Sequence, residues 1–474
     1  MSLVSRTVEV RDKYTGEVIA ELEVDSLSSF REKVRRAHES RERIASTGLD
    51  DRLERVREIG REIRNRSEEI VDLMVREAGQ PVKYARWEAR VTYGNSMFFD
   101  ALIDKVRPKE VESFSGKSYV YRTPMGVVAA ITPRNAPLVL PAYSLFSSYG
   151  GGNATVLKPS MRAPLTTLKL AELAGDIVEV AVYPGAEAAK EFIHSPLVDA
   201  IVIYANSHVG KELMIEMGKY LESTKQSFMG GFFTVAGKMK KYVPELAGND
   251  PMIILEVEDL EKIADIAVKG GYSNAGQMCV SSKRYIVHES VYGELRELMV
   301  DKISKLKVGD PRDESTDIGP IGNKLALDLA EYQLSDTVAS GGRVLVGGKR
   351  EDPFFYPTLV ELDSKTALER KPLLWVEECF APVRSIVKFS SMEEAIALAN
   401  STSYGLRASI YGPREEAEYI ASRLDVGMVV INEDPFYNDI FAPFGGMKDS
   451  GIGGAKYLIE ELTNVKYVHI GEEV

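Results

Sequence analysis

Val127-Val128-Ala129-Ala130-Ile131, bounded by Gly126 and Pro133, is a short apolar run without polar alternation. A strand that is apolar on both faces is covered on both faces, as in a parallel sheet flanked by helices. The same texture returns at Thr155-Val156-Leu157, at Val178-Glu179-Val180-Ala181-Val182 and at Ala200-Ile201-Val202-Ile203. Helical spacing fills the intervals, near 163–175, 186–194 and 207–220. Strands alternating with helices predict an α/β fold built on parallel sheets. Ligands of such sheets sit at the carboxyl ends of the strands, so the loops after Ile131, Leu157 and Ile203 are expected around one crevice.

Toward the amino end, Tyr119-Val120-Tyr121 is strand-like, and residues 8–24 alternate around a Thr15-Gly16 turn, which predicts a hairpin. Three helical patterns lie between them. The clearest starts with Asp50 or Asp51 as N-cap, runs through Leu53, Val56, Ile59, Ile63, Ile70 and Leu73, and stops at Gly79 ahead of Pro81. Toward the carboxyl end, a second α/β run opens at Met252-Ile253-Ile254-Leu255 and continues to about residue 440. Gly248 and Pro251 punctuate the stretch before it and mark a domain boundary near 245–250. Residues 463–470 alternate like an edge strand, fit to pair with another subunit.

The whole chain is 474 residues, long enough for two or three domains. A net charge of −12 argues against nucleic-acid binding, which needs a basic face. Two cysteines make no disulfide framework, and the five histidines form no zinc spacing with them, so no metal site is expected. No apolar run reaches membrane-spanning length and no secretory signal opens the chain, so the expected compartment is cytoplasmic.

Several stretches could carry chemistry, and each has a plain alternative. In Asn274-Ala275-Gly276-Gln277-Met278-Cys279, the cysteine ends a small polar loop that admits a close ligand. It reads either as a nucleophile or as a buried structural thiol. Asn135, in Thr132-Pro133-Arg134-Asn135, is either an amide donor to an oxyanion or a turn residue. Lys158, before Pro159-Ser160, either binds ribose or phosphate or is a solvated lysine. Asn206-Ser207 opens a helix whose free N–H groups suit an anion, or is an ordinary cap. Glu245 is either a general base or a solvated carboxylate. Glu377-Glu378-Cys379-Phe380 is either a seat for ribose and ring or a helix end. Two acids raise the neighbouring Cys379 thiol rather than activate it, so it is not nominated. The glycines of 443–454 mark a close-packed loop or a linker.

Taken in order, these stretches resemble the aldehyde dehydrogenase superfamily, from about residue 8 to the end. Pro124-Met125-Gly126-Val127, Val308-Gly309-Asp310-Pro311, Ile318-Gly319-Pro320, Tyr356-Pro357-Thr358 and Tyr404-Gly405-Leu406 add to the match. The resemblance implies two Rossmann-like domains, a dinucleotide-binding one at 1–105 and 126–246 and a catalytic one at 247–455. A small hairpin and C-terminal strand, 106–125 and 456–474, would build a homodimer or homotetramer. It implies Cys279 as nucleophile, Asn135 and the Cys279 N–H as oxyanion donors, and Glu245 as base for water. It places Lys158, Ser160, Thr132, Pro133, Asn206, Ser207, Glu378 and Phe380 on NAD or NADP. Phe436, Tyr437 and Phe441 would approach the aldehyde. The implied reaction is oxidation of a small aldehyde to its acid. The rivals are a CoA-acylating dehydrogenase and a member with only a binding or structural role.

Four departures from the family pattern stand out. Arg134 replaces the usual aromatic residue and either meets the substrate entrance or points to solvent. Ala205-Asn206-Ser207 replaces Gly-Ser-Thr at the pyrophosphate helix. Met161 stands where an acid is common, which admits a 2′-phosphate and hence NADP. Residues 211–237 are long, and Ser227 to Thr234 read as a hairpin with a Gly-Gly turn, an interface or lid element.

Overall fold

The computed structural model describes residues 7–228, 233–235 and 237–471. Its core is two parallel sheets. The first has five strands in the order Lys241–Glu245, Ala200–Tyr204, Val127–Ile131, Ala154–Lys158 and Val178–Val180, all parallel. Every residue of Val127–Ile131 is buried, as its unbroken apolar run requires. The second has seven strands, Arg343–Val346, Thr358–Leu362, Val383–Phe389, Ser282–His288, Asp250–Ile254, Arg407–Tyr411 and Met428–Ile431. Only the first of these, an edge strand, pairs antiparallel. The expected α/β class with two parallel sheets is therefore the observed one.

A third sheet joins Thr463–Ile470, Lys117–Pro124 and Lys109–Val111, all antiparallel. The tail strand thus spends one edge on its own chain, over the register Thr463↔Pro124 to Ile470↔Lys117. The hairpin Thr7–Arg11 with Val18–Glu23 forms as read. Gln226–Phe228 pairs with Phe233–Val235; the Gly230-Gly231 turn expected between them lies outside the described residues.

Three local expectations are corrected. The long amphipathic pattern is two helices, Leu49–Asn65 and Ser67–Ala78, broken at Arg66. Apolar spacing carries across the break because both helices bury the same face. The first begins after Gly48, so Asp50 and Asp51 occupy its first turn, where their charge meets the helix dipole, instead of capping it. The strand expected through Val182 ends at Val180. There the backbone turns aside: the Val182 N–H donates to Asp25 Oδ2, and its carbonyl accepts from the Asp25 N–H.

Buried charge separates the second sheet from the first. Lys283, Arg284, Arg384, Arg407 and Asp250 are each no more than 3% exposed. Arg284 donates to the carbonyls of Asn249, Leu398 and Ala399, the last two at the carboxyl end of helix Met392–Asn400. Among the described residues, no helix is long and apolar enough to cross a membrane.

Candidate active site

The two sheets meet with opposite ends. The first presents the carboxyl ends of its strands: Glu245 closes one, Tyr204 another, and the loops through Asn135 and Ser160 follow two more. The second presents amino ends: Cys279 precedes Ser282–His288, and Gly248 precedes Asp250–Ile254.

Asn135 is fixed by its backbone. Its carbonyl accepts from Gln80 Nε2 at 2.9 Å and from Asn274 Nδ2 at 3.1 Å. Gln80 is held in turn by Glu88 Oε2 at 2.8 Å. The other Glu88 oxygen accepts from the N–H groups of Leu138 and Val139, where helix Val139–Gly150 begins. A carboxylate at a helix amino end answers both the free N–H groups and the dipole.

The loop that leads to Cys279 is held in a costly backbone. Asn274 (φ 52°), Ala275 (φ 53°) and Gly276 (φ 70°) are all left-handed. For the two non-glycine residues this costs about 1–3 kcal/mol each, which only rigid surroundings sustain. Arg384 provides them: it donates to Gly271, Ala381, Val383 and Gly276 carbonyls and to Ser281 Oγ. Gly276 has no room for a side chain, since a Cβ would lie 2.2 Å from Arg384 and 2.5 Å from the Ala381 carbonyl. Across the loop, Gly248 approaches so closely that its Cβ would sit 2.6 Å from the Cys279 carbonyl oxygen.

Cys279 and Asn135 both line two cavities. One, about 140 Å³, is largely apolar and includes Tyr84, Trp87, Val139, Tyr143, Met278 and Phe436. It continues into a vestibule of about 660 Å³ that shares Tyr84, Trp87 and Phe436. The other, about 400 Å³, is a more polar cleft lined by Pro133, Arg134, Ser160, Asn206, Glu245, Glu378 and Phe380. The shared wall therefore holds a thiol and an amide between an apolar entrance and a polar cleft.

Burial pushes the Cys279 thiol up to about 12; Lys283 opposes this, and Glu378, Asp250 and Glu245 add to it. Glu245 is pushed up to about 8, first by burial and then by Glu461, against Lys456. Its Oε2 is buried without a hydrogen-bond partner. Such an orphaned acceptor suits a water molecule taken up as reactant. The glycine-rich segment packs against this carboxylate and is no linker: Gly451 bridges to Glu245, and buried Ser450 donates to the Ala247 carbonyl at 2.6 Å.

Lys158, two residues before Ser160 of the cleft, is 3% exposed, with its ammonium lowered to about 8 by burial alone. A buried cation with no opposing anion fits a ligand hydroxyl or phosphate of the kind a dinucleotide carries. Thr132 is buried beside it, its hydroxyl 3.4 Å from the Lys158 carbonyl.

Three placements depart from expectation. Arg134 does not reach the apolar cavity or point to solvent. It turns into the polar cleft, donates to Gln277 Oε1 at 2.7 Å and lies 5.9 Å from the Phe380 ring, because Gln277 offers the acceptor a half-buried guanidinium needs. Phe441 is 58% exposed and packs toward Phe98 instead of the cavity, since its neighbours Ile440 and Ala442 take the inward positions. Tyr437 lines only the outer vestibule, its hydroxyl bound to Asp439 at 2.5 Å. At the helix start, Asn206 caps Val209 N, and the Ser207 hydroxyl is committed to the Asp449 carbonyl at 2.6 Å. Ser207 can therefore offer the cleft only its backbone.

Gln80, Glu88, Lys283 and Arg384 were not singled out by sequence. The one usable signal was charge inside a fully apolar strand context, as in Lys283-Arg284 before Tyr285-Ile286-Val287. Among the described residues, no group of three or more His, Cys, Asp or Glu could hold a metal ion.

Comparison with known proteins gives a consistent result. The sequence model of the aldehyde dehydrogenase family matches residues 2–468. Lactaldehyde dehydrogenase of Methanocaldococcus jannaschii is 32% identical over 470 residues, covering 98% of this chain and 97% of that protein. The crystal structure of glyceraldehyde-3-phosphate dehydrogenase GapN from the same organism, complexed with NADP, aligns with a TM-score of 0.88 at 30% identity, covering 99% of this chain and 100% of that one. A betaine aldehyde dehydrogenase point mutant from Staphylococcus aureus, in complex with NAD+, aligns with a TM-score of 0.88 at 26% identity, covering 98% and 94%.

Proposed function

Because this chain belongs to the aldehyde dehydrogenase family and is an NAD(P)-dependent enzyme of it, we propose that it converts an aldehyde and water to a carboxylic acid through covalent bonding to Cys279. The observation that carries this reading is the wall shared by two cavities, with Cys279 and Asn135 on it and Glu245 on the cleft side.

The aldehyde enters by the apolar cavity. The Cys279 thiolate attacks its carbonyl carbon, and the carbonyl electron pair moves onto oxygen. That oxyanion accepts hydrogen bonds from the Asn135 side chain and the Cys279 backbone N–H, donors fixed before the reaction and therefore effective. A dinucleotide held in the polar cleft would supply the acceptor for the hydride that this carbon loses as the oxyanion's electron pair re-forms the carbonyl. A thioester on Cys279 results. Glu245 takes a proton from water as it attacks the thioester, the C–S bond breaks, and the acid leaves with the thiolate restored and the proton passed from Glu245 to solvent.

Lys158, Ser160 and the helix start at Asn206 and Ser207 would hold the adenosine and pyrophosphate portion, with Thr132 and Pro133 beside them. Glu378 and Phe380 would hold the nicotinamide ribose and ring, with Arg134 close by. Met161 in place of an acid leaves both NAD and NADP admissible. On this reading the chain divides into 1–105 with 126–246 for the dinucleotide, 247–455 for chemistry, and 106–125 with 456–474 for assembly. Val465 and Tyr467, two residues apart on the tail strand and so on one face, are both more than half exposed, an apolar patch that supports a homodimer or homotetramer.

The orphaned Glu245 carboxylate favours water over CoA as acyl acceptor, because a hydrolytic base would destroy a thioester meant for transfer. Product analysis with and without CoA tests this, alongside equilibrium titration with NAD and NADP. Acid formed without CoA, with cofactor bound, supports the reading. Strict CoA dependence overturns hydrolysis, and absence of cofactor binding overturns the enzymatic role.

A further inference from the structure

The wall that carries Cys279 is built over a buried cation that the mechanism above does not use. Lys283 is 1% exposed, and its Nζ donates to the Met278 and Cys279 carbonyls at 2.8 and 2.7 Å. It also lies 3.4 Å from Glu378 Oε1, the oxygen that accepts from the Gly248 N–H at 3.1 Å. One ammonium therefore touches the nucleophile's own peptide and the carboxylate at the far side of the cleft. A buried charge without such partners would be too costly to keep.

We propose that Lys283 is a positioning residue that ties the Cys279 peptide to the Glu378 carboxylate, so that thiol activation and dinucleotide seating depend on one buried ammonium. This rests on the roles given above to Cys279 and Glu378. The electrostatic surroundings fit it. Glu378, Asp250 and Glu245 face the thiol as acids, Tyr84 and Tyr204 lie within its field, and Arg407 approaches from a neighbouring strand. Burial and these acids all disfavour a thiolate, and Lys283 acts against them from directly beneath the loop. The same charge favours the ionised form of Glu378, against burial, which raises its carboxyl. Hydrogen bonds to two successive loop carbonyls also leave the Cys279 N–H turned away from the ammonium, free for an oxyanion.

The test uses full-length Lys283→Met and Lys283→Arg with three measurements besides turnover. These are thermal stability, the pH profile of Cys279 alkylation by iodoacetamide, and equilibrium binding of NAD and NADP. In folded Lys283→Met the alkylation midpoint should rise by about one pH unit or more. Cofactor affinity should fall about tenfold, as expected for loss of a charge-assisted contact that orients its ligand. Lys283→Arg, which keeps the charge, should recover part of both. An alkylation profile and cofactor affinity that match the parent in folded Lys283→Met overturn the proposal.

Should Lys283→Met not fold, Glu378→Gln carries the test from the other end. Removing that anion should lower the alkylation midpoint while weakening cofactor binding; a midpoint that stays put overturns the proposal. Cys279→Ser separates this from failure of the underlying reading. If that variant still oxidises aldehyde, the nucleophile assignment fails, whatever Lys283 does.

Discussion

The two parallel sheets reach the same site by opposite means. The first offers the carboxyl ends of its strands, where loops and a helix start leave backbone N–H groups and small polar side chains at the cleft. Its interior is apolar, apart from a few groups such as Thr155 and Lys158. The second offers amino ends and holds the loop that leads to Cys279 among buried charges: Arg384, Lys283, Arg407 and Asp250. A crevice at strand carboxyl ends forms from chain topology alone. A thiol at strand amino ends, on a left-handed backbone, needs side chains to keep it there. On the proposed mechanism, binding would sit where the fold favours it and covalent chemistry where the fold must be forced.

If that contrast is right, the largest effects come from the forced side. Cys279→Ser should lower kcat by on the order of a thousandfold or more, because a neutral hydroxyl is a poor nucleophile. Steady-state formation of reduced cofactor measures this, and near-normal turnover would break the comparison outright. Glu245→Gln should keep a first burst of reduced cofactor and slow the following turnover by on the order of 10²–10⁴. Rapid-mixing kinetics separates the two phases.

The pH dependence has a definite sign. Glu245 must be ionised to take a proton from water, and its site raises it to about 8. Release of the acid should therefore climb with pH through about 8 and level above it. That rising limb should be missing from Glu245→Gln, where a pH–rate profile of the slow phase would reveal it.

Stability sharpens the comparison further. Arg384→Met strips hydrogen bonds from several buried carbonyls at once and should destabilise the protein by roughly 3 kcal/mol or more. Asn206→Ala on the first sheet's side removes one helix cap and should cost about 1 kcal/mol. Denaturant unfolding of both variants checks the order; equal losses would remove the claimed difference between the sheets.

The α/β pattern was legible because unbroken apolar strands and helix-spaced intervals differ in period, and Val127–Ile131 shows this most plainly. The break at Arg66 was not legible, since the apolar spacing runs on across it. Asn135, Glu245 and Cys279 could be nominated by residue type and by family resemblance. Their common wall could not, because it joins opposite ends of two sheets. Arg134 was misplaced because a loop side chain's direction depends on a partner, Gln277, that lies far away in sequence. Lys283 and Arg284 carry no role in the sequence pattern alone. Neighbours on a strand point to opposite faces, and both are buried only because both faces of that sheet are covered.

The most direct test of covalent catalysis at Cys279 is mass spectrometry of Glu245→Gln mixed with aldehyde and NAD or NADP. An acyl adduct, the mass of the aldehyde less two hydrogens, should accumulate on the peptide carrying Cys279. An adduct on another residue, or turnover with no adduct on Cys279, would contradict the account.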